Sequence, residues 1–157
     1  MQESAIFDLY HIYREETIES INFITEEQAD VIPAGFSNSL RWNFGHILVA
    51  QEQAMYNLGM NQPGEIFEKT QDMFKRGSSP KEWSVTPFSL KELRDQLQEQ
   101  MERMKITFSG RLGEAAAKEF DMGKERKIKT LGDLFIGSLW HEGVHQGIIY
   151  CMKRSLK

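Results

Sequence analysis

Apolar residues recur at spacings of three and four along most of the chain, a pattern that predicts four long helices separated by loops. The first spans Glu3 to Ile24, with Ile6, Leu9, Tyr10, Tyr13, Thr17, Ile21 and Ile24 on one face. Thr25-Glu-Glu-Gln28 forms a capping box for a short following turn, which Pro33 and Gly35 end. The second helix spans Ser39 to Leu58 and is apolar over a wide arc, with Arg41 and Glu52 marking its wet side; Gly59, Pro63 and Gly64 close it. The third opens at the capping box Ser89-Leu-Lys-Glu92, carries Leu90, Leu93, Leu97, Met101, Met104 and Phe108, and stops at Gly110 and Gly113. The fourth opens at Thr130-Leu-Gly-Asp133 and runs to the C-terminus.

Two long links, 61–88 and 110–129, separate the second helix from the third and the third from the fourth. A short helix opened by Ser79-Pro80 is expected in the first, since proline suits the first helical position. Strand signals are weak. The expected fold is all-α, a four-helix bundle with long connecting loops, formed as one domain over residues 1–157.

Composition narrows the function. Of 157 residues, 40% are apolar and 27% charged, enough to build one core. The net charge of −4 leaves no basic excess for a phosphate backbone, so no nucleic-acid partner is expected. Residues 1–60 hold nine acids and two bases, read as a solvated acidic face. The one cysteine, Cys151, excludes an internal disulfide and a cysteine-rich metal site, and is read as an inert buried thiol. No apolar run approaches the roughly 18 residues of a membrane span, and the acidic opening segment lacks the basic start of a signal peptide. A cytoplasmic protein with no membrane partner is therefore expected.

Helical phase separates the four histidines. His11 lies well away from the apolar face of the first helix and is read as a surface residue. On the fourth helix Leu131, Leu134, Ser138, His141, His145, Ile148, Ile149, Met152 and Leu156 form one stripe with both histidines at its centre. A lone histidine in such a stripe is most simply a core residue. Two at i and i+4 stack both imidazoles on one face, and a shared divalent metal offsets the cost of burying them together. His46, between Trp42 and Ala50 on the second helix, faces protein in the same way. Facing helices of a bundle bring their ligands together in the core, so His46, His141 and His145 form a candidate triad. Three imidazoles leave a metal an open position, the catalytic pattern. A neutral all-nitrogen shell suits zinc or nickel, with iron(II) or copper also compatible.

His141-Glu-Gly-Val-His145 also matches the helix of a zinc metalloprotease, in which the glutamate is general base. The longer form of that motif fails, because Ile148 and Cys151 stand where its glycine and third histidine belong. The protease is the least favoured reading. Glu142 is kept as a weak candidate base, against the plainer reading of a solvent-facing glutamate. Met55, Met101, Met104 and Met152 read as core filler and Trp42 and Trp140 as helix packing, although Trp42 is also placed to line the site. Ser138, one turn before His141, is either a hydrogen-bond partner to the site or a packing serine.

The segments Leu40-Arg-Trp-Asn-Phe-Gly-His46-Ile-Leu and Leu139-Trp-His141-Glu-Gly-Val-His145-Gln-Gly-Ile-Ile together resemble the DinB-like family of bacterial metalloproteins, distinct from the DNA polymerase that shares the name. The likeness extends over nearly the whole chain in helix order, while the histidines and His-Gln-Gly carry its specificity. The resemblance implies a four-helix bundle with His46, His141 and His145 as a three-histidine site for one divalent metal. It also implies a small-molecule substrate and a homodimer. Relatives include thiol S-transferases that use bacillithiol or mycothiol, and isomerases. Metal-activated thiolate or water is the corresponding chemistry, which makes a thiol transferase or a hydrolase the expected enzyme. A non-catalytic metal-binding or interaction protein is the alternative. Lys75, Arg76, Arg126 and Lys127 in the links stay open between a cofactor pocket and solvated surface.

Overall fold

The computed structural model describes residues 2–85, 87–121 and 127–156. Four long helices build the bundle: α1 (Glu3–Ile21), α3 (Leu40–Glu52), α5 (Leu90–Phe108) and α6 (Leu131–Ser155). α1 and α3 each pack against both α5 and α6. A short helix α2 (Glu26–Asp30) follows α1, and α4 (Glu65–Phe74) lies against α3. All three capping boxes read from the sequence form, at Thr25, Ser89 and Thr130. Among the described residues no helix is long and apolar enough to cross a membrane.

The links are more structured than expected. α4 occupies the first, ahead of a 3-10 turn at Pro80–Glu82 where Ser79-Pro80 marks a start. The second contains an antiparallel hairpin of β1 (Ala115–Asp121) and β2 (Lys127–Thr130), with Phe120 opposite Ile128 and a register shift toward Ala115. Main-chain bonds from Leu131 to Glu114 and from Gly132 to Leu112 tie the start of α6 to the residues before this hairpin. α3 runs on without a break into a π-helical stretch, Gln53–Leu58, the kind of widened turn that often borders functional sites.

Among the described residues two large apolar clusters fill the bundle, and a smaller one of Trp42, Val49 and Phe74 joins α3 to α4. One large cluster gathers Phe7, Tyr10, Met55, Met104, Phe108, Phe135 and Leu139; the other gathers Ile21, Leu40, Phe44, Leu48, Leu93, Leu97, Ile149 and Met152. Between them lies a layer of buried polar residues to which every long helix contributes, among them Arg14, Gln51, Gln100 and Glu142. Arg14 joins the layer. Its Nε and Nη2 donate to the two Glu142 oxygens at 2.9 and 3.1 Å, Nη1 to Gln100 Oε1 at 2.7 Å, and Nη2 also to Gln51 Oε1 at 2.7 Å. A buried charge is tolerated where its counterion and its remaining donors are satisfied, as they are here.

This layer corrects several expectations. α1 buries Phe7 and Arg14 where Leu9 and Tyr13 were expected; Leu9 is exposed and Tyr13 half-buried. The wet side expected of α3 is absent, because Arg41 is closed over by Glu26, Asp30 and the Phe88 carbonyl, and Glu52 by Gln100 and Arg103. Trp140 is 64% exposed instead of packed between helices, and Cys151 is exposed instead of buried. Both lie on the outer side of α6, whose inner arc is already taken by Phe135, Leu139, Glu142, His145 and Ile149. The four methionines named above are buried, and His11 lies at the surface.

Candidate metal centre

His46 comes from the middle of α3, and His141 and His145 from successive turns of α6, which packs against it. One nitrogen from each ring lies within 4.8 Å of the other two. Nε2 of His46 stands 3.2 Å from Nε2 of His141. Two ligands bonded to a tetrahedral ion at 2.0–2.1 Å are separated by about 3.3 Å, so this pair is already near ligand spacing. The three ring centroids are 4.6 to 5.0 Å apart.

The outer ring nitrogens fix how two of these rings face inward. His46 Nδ1 donates to the Phe74 carbonyl at 2.6 Å. A carbonyl can only accept, so the proton sits on Nδ1 and Nε2 presents a lone pair to the centre. His145 Nδ1 lies 2.8 Å from Asn43 Oδ1. The amide of Asn43 is oriented in turn, because its Nδ2 donates to the Ser39 carbonyl at 2.8 Å. Ser39 is also the cap of α3, its side chain accepting from the Trp42 amide. The start of α3 therefore sets the tautomer of His145 through Asn43. Such outer partners orient metal-binding imidazoles and raise their basicity.

Phe74 reaches His46 from the last residue of α4, a helix placed by close packing at Gly45. A Cβ on Gly45 would fall 2.2 Å from the Phe74 ring, so only glycine lets the two segments approach this closely. Trp42 completes this side by stacking on His46, with centroids 4.5 Å apart and planes 10° from parallel.

All three imidazoles are neutral near pH 7. Burial lowers the pKa of His46, opposed by the Phe74 carbonyl. Burial, reinforced by His46, pushes His141 down to about 4, with Glu142 opposing. Burial, His46 and His141 push His145 down to about 3. Neutral nitrogen donors, two of them with their outer nitrogens tied to Phe74 and Asn43, suit a borderline divalent ion, zinc or nickel above the hard cations. The residues present fit such a group.

Two cavities open onto the centre. One, of about 560 Å³, reaches all three histidines and is bordered by Phe36, Asn38, Trp42, Arg76 and Met152. The other, of about 530 Å³, reaches His141 and is bordered by Ala54, Leu58, Ile128, Leu134 and Trp140, with Arg76 at its edge again. Each is large enough for a small organic ligand. The π-helical stretch supplies Gln53, Ala54 and Leu58 to the second cavity.

Other residues singled out by the sequence fall elsewhere. Glu142 is 2% exposed and bonded to Arg14 and Thr17, on the side of α6 that faces α1, so it neither meets solvent nor stands free as a base. Ser138 donates to the Phe135 carbonyl and lines the second cavity. Lys75 pairs with Asp72, and Lys127 lies 3.8 Å from Glu119. Arg126 lies outside the described residues. Sequence reasoning missed Asn43 and Phe74. The first had a signal in its place one turn before His46 on the same buried arc; the second acts through its main chain and had none.

A search of curated proteins found no match. A family model described as the DinB superfamily matches residues 9–149, which take in all three histidines and most of the bundle. With that match across most of its length, a helical bundle and three histidines gathered between α3 and α6, the chain belongs to the DinB superfamily.

Proposed function

We propose that the protein holds one divalent ion, zinc or nickel, on His46, His141 and His145, and that the centre activates a thiol or water toward a small molecule in the adjoining cleft. The carrying observation is the convergence of three imidazoles, one nitrogen of each within 4.8 Å of the other two, while Phe74 and Asn43 hold the outer nitrogens of His46 and His145. When bound, such an ion supplies Lewis acidity, lowering the pKa of a thiol or water at its open position. The chain's own residues do the rest. His46 and His145 keep their rings fixed, Trp42 shields one face of His46, and the two cavities give reactants access to the centre. No carboxylate borders either cavity among the described residues, so a proton released by the nucleophile leaves through the open cleft to solvent.

Of the two nucleophiles, thiol is favoured, in line with the S-transferases that the sequence resembles. Protein purified without a histidine tag is expected to carry about one ion per chain and His141→Ala close to none. Metal-dependent conjugation of monobromobimane to a small cellular thiol tests the transferase, the new S–C bond replacing C–Br with loss of bromide. An ion content near zero that His141→Ala leaves unchanged removes the metal reading. Full metal loading without turnover of any thiol or ester substrate leaves a non-catalytic metal-binding protein.

A further inference from the structure

Arg76 borders both cavities that open onto the three-histidine centre, at the point where they meet beside His141. It belongs to a tight turn after α4, in which Gly77 takes a positive φ of 89°. This turn is pinned in place. Ser78 Oγ accepts from the Trp42 indole at 2.9 Å and donates to the carbonyls of Met73 and Lys75, while the Ser78 amide bonds to Lys75. The same Trp42 stacks on His46, so the turn carrying Arg76 is keyed to the centre itself.

The neighbouring charges are one-sided. The chain carries a net charge of −4, yet among the described residues neither cavity is bordered by an aspartate or glutamate, and Arg76 is the charged residue on each. Among the described residues Arg76 makes no ion pair or hydrogen bond, whereas Lys75 beside it is paired with Asp72. An exposed, unpaired guanidinium carried on a pinned turn at the rim of a cleft is an anion receptor, since its fork matches carboxylate, phosphate and sulfonate oxygens. The cavity on the β2 side is walled by Ala50, Ala54, Leu58, Leu134 and Trp140, which suits an apolar group.

We propose that the cleft selects an anionic small molecule with an apolar part, and that Arg76 is the specificity-determining residue, holding the anionic group beside the centre. This rests on the reading of that centre as the protein's reactive site. The apolar part lies against Trp140 and Leu134. Arg76 touches no ligand nitrogen of the triad, and its substitution leaves metal content unchanged.

Naphthalene-2-sulfonate, a poor metal ligand, and its uncharged methyl sulfone serve as probes, titrated calorimetrically into the wild type and Arg76→Gln, each as purified and after chelation. The wild type is expected to bind the sulfonate about tenfold more tightly than the sulfone, with Arg76→Gln abolishing that preference and Arg76→Lys restoring part of it. The preference is expected to survive chelation. Equal binding of the two probes, binding of neither, or a preference that Arg76→Gln leaves intact overturns the proposal. A preference that disappears with the metal also overturns it, while the metal reading stands. An absent metal with the Arg76-dependent preference retained removes the metal reading alone.

Discussion

The Phe74 carbonyl at the end of α4 accepts a 2.6 Å hydrogen bond from Nδ1 of His46, and Gly45 is what lets α4 come close enough to make it. Gly45→Ala would place a methyl 2.2 Å from the Phe74 ring, in a region where Phe74 is fully buried. The ring must move and carry its own carbonyl with it. Overpacking of this kind costs about 1–3 kcal/mol. Loss of the outer bond to a metal-binding histidine weakens metal affinity by about 10–100-fold. Urea denaturation and a competitive zinc titration measure the two effects separately, and unchanged zinc affinity would mean that the Phe74 bond does not position His46.

Asn43 plays the matching part for His145, but through a side chain, which allows a cleaner substitution. Asn43→Ala removes the acceptor at Nδ1 without overpacking, and the expected result is a folded protein with about 10–100-fold weaker metal binding. Asn43→Asp keeps an acceptor in the same place and is expected to retain most of that affinity. Equal loss in both variants would show that the amide acts only by packing.

The buried ion pair of Arg14 and Glu142 governs the bundle more than the chemistry. Glu142→Gln leaves the Arg14 charge buried among neutral partners, and breaking such a pair on one side costs about 3–5 kcal/mol. Arg14→Met combined with Glu142→Leu removes both charges and is expected to be less destabilised than Glu142→Gln alone, a non-additivity readable in urea denaturation midpoints.

How far the sequence reveals this molecule depends on the range of the forces involved. Helices α1, α3, α5 and α6 are legible because side-chain period and capping are local, and Thr25, Ser89 and Thr130 all cap as their spacing requires. Pairing across the bundle is not local. Arg14 and Glu142 are 128 residues apart, and an isolated arginine or glutamate reads as surface until its partner is known. The hairpin was hidden because its first strand opens Ala-Ala-Ala-Lys, a helix-favouring composition, with Ile128 as the β-branched apolar residue of the second. α4 did leave a trace, in Ile66, Thr70 and Phe74 at fours after Gly64. The triad could be read because the i, i+4 pair and the buried arc of α3 are helical facts. The cleft charge pattern could not, since Arg76 acquires its meaning from two walls that meet only in the fold.

Proton linkage gives the last test, because the same burial that keeps the imidazoles ready for a metal makes the metal-free fold sensitive to acid. In the unfolded chain His141 and His145 titrate near the ordinary value of about 6.5. In the folded chain they are held down to about 4 and about 3. Between those limits the unfolded state binds protons that the folded state refuses, so stability is fullest above pH 6.5 and falls as the pH drops toward 4 and then 3. Asp133, held low chiefly by its bond from the Lys129 main-chain amide, adds its own loss only below the ordinary aspartate range. In chelator, melting temperature is therefore expected to fall between pH 7.5 and 5.5, and His145→Leu to flatten that fall by removing one group. A flat wild-type profile over this interval would show that the rings are not buried as neutral bases. With zinc in excess the midpoint is expected to rise and the fall to shift to lower pH, since protons must then compete with the ion for the same nitrogens.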